Sequence, residues 1–246
     1  MRRFFVEKTT IFSDMATLNA DESRHLARVL RLGAGERVQL FDGDGMVYEG
    51  IIQATGERAR IQIIDRKIEA ATGKPLRIGQ AILRGSKMDE LIQRYTEFGV
   101  DTIIPIWTNH CQGSFDGSKE KMRQARQERI IEAACKQCGR ARPPRLGAPL
   151  PFADFLAELP AANENPGSRR VLFWEDEKGA NLRDISFAGA HEAVALIGPA
   201  GGWSAAEVAM ARARGFQTAR LAGHILRAET AGLAAAALCQ FLLRNL

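Results

Sequence analysis

The sequence contains no apolar run long enough to cross a membrane as a helix, which takes roughly 18 residues. The opening segment, Met1–Glu7, soon turns polar and lacks the apolar core of a secretory signal. Hydrophobic residues make up 46% of the chain and charged residues 26%, a balance typical of globular proteins. We therefore expect a folded, cytoplasmic protein without a membrane partner.

Cysteine and histidine are scarce, with four residues of each type. Cys135 and Cys138 form a C-x-x-C pair, but Cys111 and Cys239 are too scattered to supply a second pair of zinc ligands. The histidines offer no ligand cluster either; they are His25, His110, His191 and His224. The sequence therefore predicts reduced thiols and no metal site.

Internal repeats and low-complexity tracts are absent, and residues 1–70 have the pattern of a small β-rich unit. Three segments are rich in β-branched and aromatic residues and are separated by turn signals. They are Glu36–Asp42, Met46–Ala54 and Arg58–Asp65. A short barrel of such strands is a common RNA-binding scaffold. Ala70–Pro75 contains glycine and proline and is predicted to be a linker.

Residues 76–246 show a different pattern, in which strands alternate with helices. The predicted strands are Leu76–Leu83, Asp101–Trp107, Val171–Trp174, Ala193–Ile197 and Ala219–Leu221. The predicted helices are Met88–Gly99, Lys119–Cys138, Pro151–Leu159, one from Ala205 and one from Ala228, with a polar loop at Ala161–Arg169. This alternation predicts a second domain of α/β class, with a mostly parallel sheet.

Positive charge is concentrated in two places. Between Lys119 and Arg145 there are nine Lys/Arg against three Asp/Glu, in a chain whose net charge is only +5. Within Asp21–Leu32, three arginines fall at helical spacing and are expected to share one helix face. These three are Arg24, Arg28 and Arg31. Two more arginines, Arg2 and Arg3, lie at the start of the chain. Such clusters are typical of proteins that bind a phosphate backbone, although a solvated surface is the alternative.

One glycine-rich segment follows a predicted strand. In Gly198–Gly202, which we call the glycine loop, three of five residues are glycine, so backbone amides can approach a ligand closely. Ser204 and Glu207 form a capping-box pair that starts a helix directly afterwards. The segment is neither a G-x-G-x-x-G dinucleotide motif nor a phosphate-binding P-loop. We interpret it as a ligand loop, with an ordinary tight turn as the alternative.

A second segment, Leu221–Arg227, also follows a predicted strand, and we call it the arginine loop. Glu229 suits the first turn of the helix that follows, because a carboxylate there complements the helix dipole. Arg227 opposes the same dipole, so its position indicates a task other than capping. The helix itself is apolar on most sides and is expected to be largely buried.

These motifs together resemble the RsmE-type family, the 16S ribosomal RNA uracil-N3 methyltransferases of the SPOUT class. The resemblance covers almost the whole chain. It is carried by Arg2–Phe5, His25–Arg31, Lys87–Val100, Ile104–Pro105, Glu132–Gln137, Gly139–Arg140, Pro144, Ile197–Gly202 and Leu221–Ala231.

The resemblance implies a PUA-like β-barrel over residues 1–70 and an α/β domain tied in a trefoil knot over residues 76–246. It also implies a homodimer that binds S-adenosylmethionine and acts on 16S rRNA in the 30S subunit. The implied cofactor-binding residues are Leu172, Leu196, Gly198, Gly201, Gly202, Leu221, Gly223, Ile225, Leu226 and Arg227. For RNA we expect contacts from Arg2, Arg3, Arg24, Arg28, Arg31, Arg123, Arg126 and Arg140.

For the chemistry, we expect Arg227 to stabilise a uracil anion and Glu229 to accept the N3 proton. One position departs from the family pattern, which usually has Gly-Pro-Glu-Gly-Gly where this chain has Ala200. If a carboxylate is needed, it falls to Glu229 or Glu175. Two alternatives stay open from the sequence, namely a SPOUT ribose 2′-O-methyltransferase and a non-catalytic RNA-binding protein.

Overall fold

The computed structural model describes residues 1–70, 73–112, 117–221 and 223–246. The chain divides into two units, one formed by Met1–Ala71 with Glu132–Pro143 and the other by Thr72–Ile131 with Pro144–Leu246. No pattern in the sequence predicted that Glu132–Pro143 groups with the first unit. Residues 71 and 72 of the predicted linker lie outside the described residues.

The first unit contains a six-stranded sheet. Its strands are β1 (Arg2–Phe5), β2 (Ile11–Phe12), β3 (Met15–Thr17), β4 (Arg37–Phe41), β5 (Met46–Ala54) and β6 (Arg60–Ile68), in the spatial order β1-β4-β5-β6-β3-β2. Alternate apolar side chains, including Val38, Leu40 and Ile61, are fully buried in one core. The predicted strands at β4, β5 and β6 are confirmed. The shorter β1, β2 and β3 were not predicted, because two to four residues carry too little periodicity.

The predicted helix Asp21–Leu32 is wrong in its shape. The α-helix α1 covers only Ala20–Arg24 and continues as one π-helical turn, His25–Val29. In that turn the Leu30 amide donates to the His25 carbonyl at 3.0 Å, five residues back. Arg31 then adopts a left-handed backbone with φ of 55°, which ends the helix. A π turn has more residues per turn than an α-helix, so the spacing rule used on the sequence does not hold here.

The second unit contains a seven-stranded sheet in which every pairing is parallel. Its strands are β7 (Leu76–Ala81), β8 (Thr102–Trp107), β9 (Arg145–Leu146), β10 (Leu150–Pro151), β11 (Ser168–Phe173), β12 (Glu192–Ile197) and β13 (Gln217–Ala219). The order is β10-β8-β7-β12-β11-β13, and β9 also pairs with β8. The predicted parallel α/β sheet is confirmed.

Several strand boundaries differ from the prediction by one to three residues. The structure starts β11 at Ser168, inside the predicted loop Ala161–Arg169, and ends β13 at Ala219, two residues before the predicted end. Strand ends often carry polar side chains, so a prediction based on runs of apolar residues misses them.

α-Helices lie between most of the consecutive strands of this sheet, and the last helix follows β13. They are α2 (Lys87–Glu97), α3 (Gly117–Cys138), α4 (Phe152–Ala157), α5 (Ala205–Ala213) and α6 (Ala228–Leu243). The division between the two units falls within α3, between Ile131 and Glu132. Side chains of residues 117–119, and residues 113–116 before them, are not described.

Helix α6 packs against α2 and β12. A Cβ at Gly232 would overlap the Tyr95 hydroxyl of α2, so glycine at this position permits the close approach of the two helices. The expectation that α6 is largely buried holds for one face only. Leu238 and Phe241 are exposed, the latter at 65%.

Candidate cofactor and methyl-acceptor site

A cavity of about 330 Å³ lies at the carboxyl ends of β11, β12 and β13, where α6 begins. Ligands of parallel α/β proteins bind at this edge of the sheet, and the volume falls within the usual range for small-molecule pockets. Its lining residues come from three successive strand ends and two helix starts. They are Lys87, Phe173, Trp174, Glu175, Ile197, Gly198, Pro199, Ala200, Arg220, Leu221, His224, Ile225, Leu226, Arg227, Ala228, Glu229 and Ala231.

The glycine loop is held by contacts of the residues that directly follow it. The Trp203 indole after it donates to the Phe173 carbonyl at 3.0 Å, which ties the loop to the end of β11. The predicted capping box is confirmed, because the Ser204 amide donates to the Glu207 carboxylate at 2.9 Å and the Glu207 amide donates to the Ser204 hydroxyl. The loop therefore has a defined shape against the cavity.

None of the three glycines of this loop can be replaced without moving a neighbour, and a Cβ at Gly201 would lie 2.9 Å from the Cβ of His110. A Cβ at Gly198 would lie 2.9 Å from the Trp203 indole nitrogen, closer than side chains pack. Gly202 has φ of +73°, and a Cβ there would overlap the carboxylate of Glu175. At these positions glycine lets the loop pack closely against neighbouring side chains, where a Cβ would not fit.

Trp174 and Glu175 form part of the cavity wall directly after β11. The Trp174 indole nitrogen is buried and has no hydrogen-bond partner among the described residues. A buried donor without an acceptor is costly, so its position in a cavity wall favours a ligand acceptor. We did not predict Trp174 as a cofactor residue, although its place after a buried strand was a usable signal.

Arg227 is the N-cap residue of α6, as predicted from its place in the sequence, and its side chain caps no backbone group. It lines the cavity with the exposed Ile225 and the half-buried Leu226. Ala222 of the arginine loop lies outside the described residues. The loop thus brings a cation to the edge of the cavity at the amino end of a helix.

Glu229 forms an ion pair that the sequence did not reveal. The Lys87 ammonium, on the first residue of α2, lies 2.9 Å from its carboxylate. The hydrogen bond from Lys87, followed by the backbone hydrogen bond at the start of α6, lowers the pKa of Glu229 below its usual value. A carboxylate with a lowered pKa is a weaker proton acceptor.

Five of the predicted cofactor-binding residues line the cavity, namely Gly198, Leu221, Ile225, Leu226 and Arg227. Leu172 and Leu196 are paired in register on β11 and β12 and are fully buried in the core, so their side chains are turned to packing. Gly201 lies beside His110, Gly202 beside Glu175, and Gly223 has open space around it. Cofactor contacts by all ten residues stay predictions.

The chain is similar to known RNA methyltransferases in both sequence and structure. Residues 71–240 match a family described as an RNA methyltransferase domain, and residues 18–64 match an RNA methyltransferase PUA domain. A ribosomal RNA small subunit methyltransferase E from Synechocystis is 30% identical over 246 residues, which cover 99% of this chain and 78% of that protein. The chain belongs to this methyltransferase family.

Two solved relatives in complex with S-adenosylmethionine have the same fold. A ribosomal RNA small subunit methyltransferase E from Neisseria gonorrhoeae superposes with a TM-score of 0.86 at 29% identity, over 98% of each chain. A methyltransferase from Legionella pneumophila gives a TM-score of 0.86 at 26% identity, over 97% of this chain and 96% of that one. The family resemblance drawn from the loop motifs is confirmed.

This member of the methyltransferase family has no carboxylate at position 200. Ala200 lines the cavity, and the carboxylates that line it in the described part of the chain belong to Glu175 and Glu229. The Glu229 carboxylate forms an ion pair with Lys87. Glu175 lies against Gly202, within the wall formed after β11.

The predicted RNA-binding arginines fall in both units. Arg123 and Arg126 are in the second unit, where they pair with Glu120 and Asp89, each at 2.7 Å. The other six are in the first unit, and Arg3 stacks 5.2 Å from the Phe41 ring centroid. That contact gives Arg3 a packing role beside any role in RNA binding.

The expectation that Arg24, Arg28 and Arg31 share one α-helical face is wrong, because the π turn and the left-handed Arg31 break the spacing. All three side chains are nevertheless exposed, and Arg24 pairs with Asp21 at 3.2 Å. Val29, expected on the apolar face, is 65% exposed for the same reason. Their contact with RNA stays a prediction.

Two further observations concern metals and membranes. Within residues 1–70, 73–112, 117–221 and 223–246, no group of three or more His, Cys, Asp or Glu side chains is arranged to hold a metal ion. In the same part of the chain, no helix combines the length and apolarity required to span a bilayer.

Proposed function

We propose that this protein transfers a methyl group from S-adenosylmethionine to N3 of a uridine in the 16S rRNA of the 30S ribosomal subunit. The observation that carries the proposal is the cavity at the carboxyl edge of the parallel sheet, in a chain of this methyltransferase family. It combines a glycine loop with cationic side chains, among them Lys87 and Arg227. The position of methylation, N3 of uracil, rests on the family resemblance.

The residues present fit S-adenosylmethionine, which supplies an electrophilic methyl group on a sulfonium. Gly198 lines the cavity without a side chain, so its backbone can contact the ligand. The buried indole nitrogen of Trp174 offers a donor that lacks an acceptor among the described residues. We assign cofactor contacts to the ten residues named from the sequence and add Trp174.

The acceptor needs help from the protein because N3 of uracil carries a proton and is a poor nucleophile until that proton leaves. Arg227 lines the cavity, and in this proposal its guanidinium holds O2 or O4 of the uracil as negative charge develops. Alignment of the acceptor and the methyl donor within the cavity contributes as well, on the order of 7–11 kcal/mol for well-oriented reactants.

We propose that the exposed arginines of both units bind the phosphates of 16S rRNA, with the first unit serving as the PUA-like RNA-binding domain. We further propose a homodimer in the cytoplasm, with the α/β domain knotted as in the SPOUT class. The exposed apolar side chains near the end of the chain support self-association; they are Leu238, Phe241 and Leu246.

A transfer assay tests this function. The protein should bind S-adenosylmethionine in calorimetry and should transfer a tritiated methyl group to 30S subunits that lack the modification. Cofactor binding without transfer to 30S subunits or to free 16S rRNA would reject the activity. RNA binding without cofactor binding would favour the non-catalytic alternative.

A further inference from the structure

Two cations reach the cavity from the starts of two different helices. Lys87 is the first residue of α2 and Arg227 is the N-cap of α6, and both line the cavity. The close approach of α6 to α2 at Gly232 brings these helix starts together. Helix amino ends carry partial positive charge, so the two dipoles add to the two side-chain charges. This part of the cavity favours an anion.

We propose that Lys87 is a second catalytic cation, which together with Arg227 stabilises the uracil anion, and that Glu229 positions Lys87 instead of removing the N3 proton. The inference rests on the proposed function. It replaces the prediction made from the sequence, in which Glu229 is the base that accepts the N3 proton.

The geometry of the ion pair supports this assignment. The Lys87 ammonium is 2.9 Å from the Glu229 carboxylate, and the two side chains retain 46% and 25% exposure, so the ammonium keeps donors free for a ligand. The carboxylate is held by a backbone hydrogen bond at the start of α6 as well. A carboxylate fixed in this way orients the lysine, whereas a base must be free to take up a proton.

The charges around Lys87 do not reverse this conclusion. The other titratable groups that line the cavity are Glu175 after β11, Arg220 after β13, and His224 and Arg227 of the arginine loop. Excluding the Lys87–Glu229 pair, these contribute two guanidiniums against one carboxylate. The ionised carboxylate and guanidinium groups thus leave the lining of the cavity net positive.

The step balances without a further reagent. The N3 proton leaves to water, and its electron pair stays on the uracil, delocalised over O2, N3 and O4. The N3 pair then forms the new bond to the methyl carbon while the carbon–sulfur bond breaks with its electrons on sulfur. Lys87 and Arg227 lower the pKa of the acceptor by interacting with its charged form. Water is then a sufficient proton acceptor.

The test measures single-turnover methylation of 30S subunits against pH for Lys87→Met, Lys87→Arg and Glu229→Gln. Lys87→Met should lower the rate about 10-fold to 100-fold near neutral pH, somewhat below the loss of a fully buried oxyanion donor because Lys87 is partly exposed. Its deficit should shrink as pH rises, because free hydroxide removes the N3 proton without help. Lys87→Arg should recover most of the rate, and Glu229→Gln should lose less than Lys87→Met.

Calorimetry with S-adenosylmethionine on the same variants separates folding and cofactor binding from the chemical step. Lys178→Met, on an exposed residue outside the cavity, is the matched control for loss of a lysine charge. A normal rate for Lys87→Met, or a collapse of the rate in Glu229→Gln with loss of the pH dependence, would overturn the inference. Absence of N3 methylation by the unaltered protein would instead overturn the proposed function.

Discussion

Replacement of Gly202 by alanine tests the glycine loop in a quantitative way. Gly202 has φ of +73°, and a left-handed backbone costs an alanine about 1–2 kcal/mol. The new Cβ would also overlap the Glu175 carboxylate, so Glu175 must leave its place in the cavity wall. We expect lower stability and, in addition, weaker binding of S-adenosylmethionine.

Gly189→Ala is a matched control that measures only the cost of a left-handed backbone. Gly189 has φ of +68°, and a Cβ there would meet nothing within 4 Å. In a chain of this length, each kcal/mol lost from the free energy of unfolding lowers the unfolding midpoint by about 2–4 °C. Gly189→Ala should lower the midpoint accordingly and leave cofactor affinity unchanged. Gly202→Ala should show at least the same shift and raise the Kd for S-adenosylmethionine about tenfold, which corresponds to 1.4 kcal/mol.

The assays are a thermal melt and calorimetric titration of S-adenosylmethionine into both variants. Equal midpoints for the two variants, together with unaltered cofactor affinity in Gly202→Ala, would refute the reasoning. In that case Glu175 has no part in the shape of the cavity.

Three other predictions follow from the site and the charged surfaces. Arg227→Ala should lower the single-turnover rate about 10²–10³-fold with little change in cofactor affinity, and Arg227→Lys should recover little because an ammonium lacks the planar fork. Joint replacement of Arg24, Arg28 and Arg31 by alanine should weaken 16S rRNA binding and flatten its salt dependence in filter-binding assays. Trp174→Phe removes a hydrogen-bond donor that contributes about 1 kcal/mol, so S-adenosylmethionine should bind about fivefold more weakly. The change in tryptophan fluorescence when S-adenosylmethionine binds should also be smaller in this variant.

The parallel sheet could be predicted from the sequence because its buried strands are continuous apolar runs. β7, β8 and β12 were found within a few residues of their true bounds for this reason. The two loops could be found as well, since glycine at Gly198–Gly202 and an arginine at a helix start are local departures from ordinary patterns. Both signals need no knowledge of distant residues.

Other features depend on contacts that the sequence does not display. The Lys87–Glu229 ion pair joins residues that are far apart in the chain, through the packing of α2 against α6. The π turn at His25–Val29 depends on a hydrogen bond to a carbonyl five residues back, which the spacing of apolar residues does not reveal. The grouping of Glu132–Pro143 with the first unit is likewise a property of tertiary contacts.

The central claim concerns the atom that receives the methyl group. Incubation of unmodified 30S subunits with the protein and carbon-13-labelled S-adenosylmethionine, followed by digestion to nucleosides and fragmentation mass spectrometry, measures it directly. Our account predicts labelled 3-methyluridine, with the added mass on the base fragment and none on the ribose. Label on the ribose fragment, or no label in 16S rRNA while the protein binds its cofactor, would contradict the account.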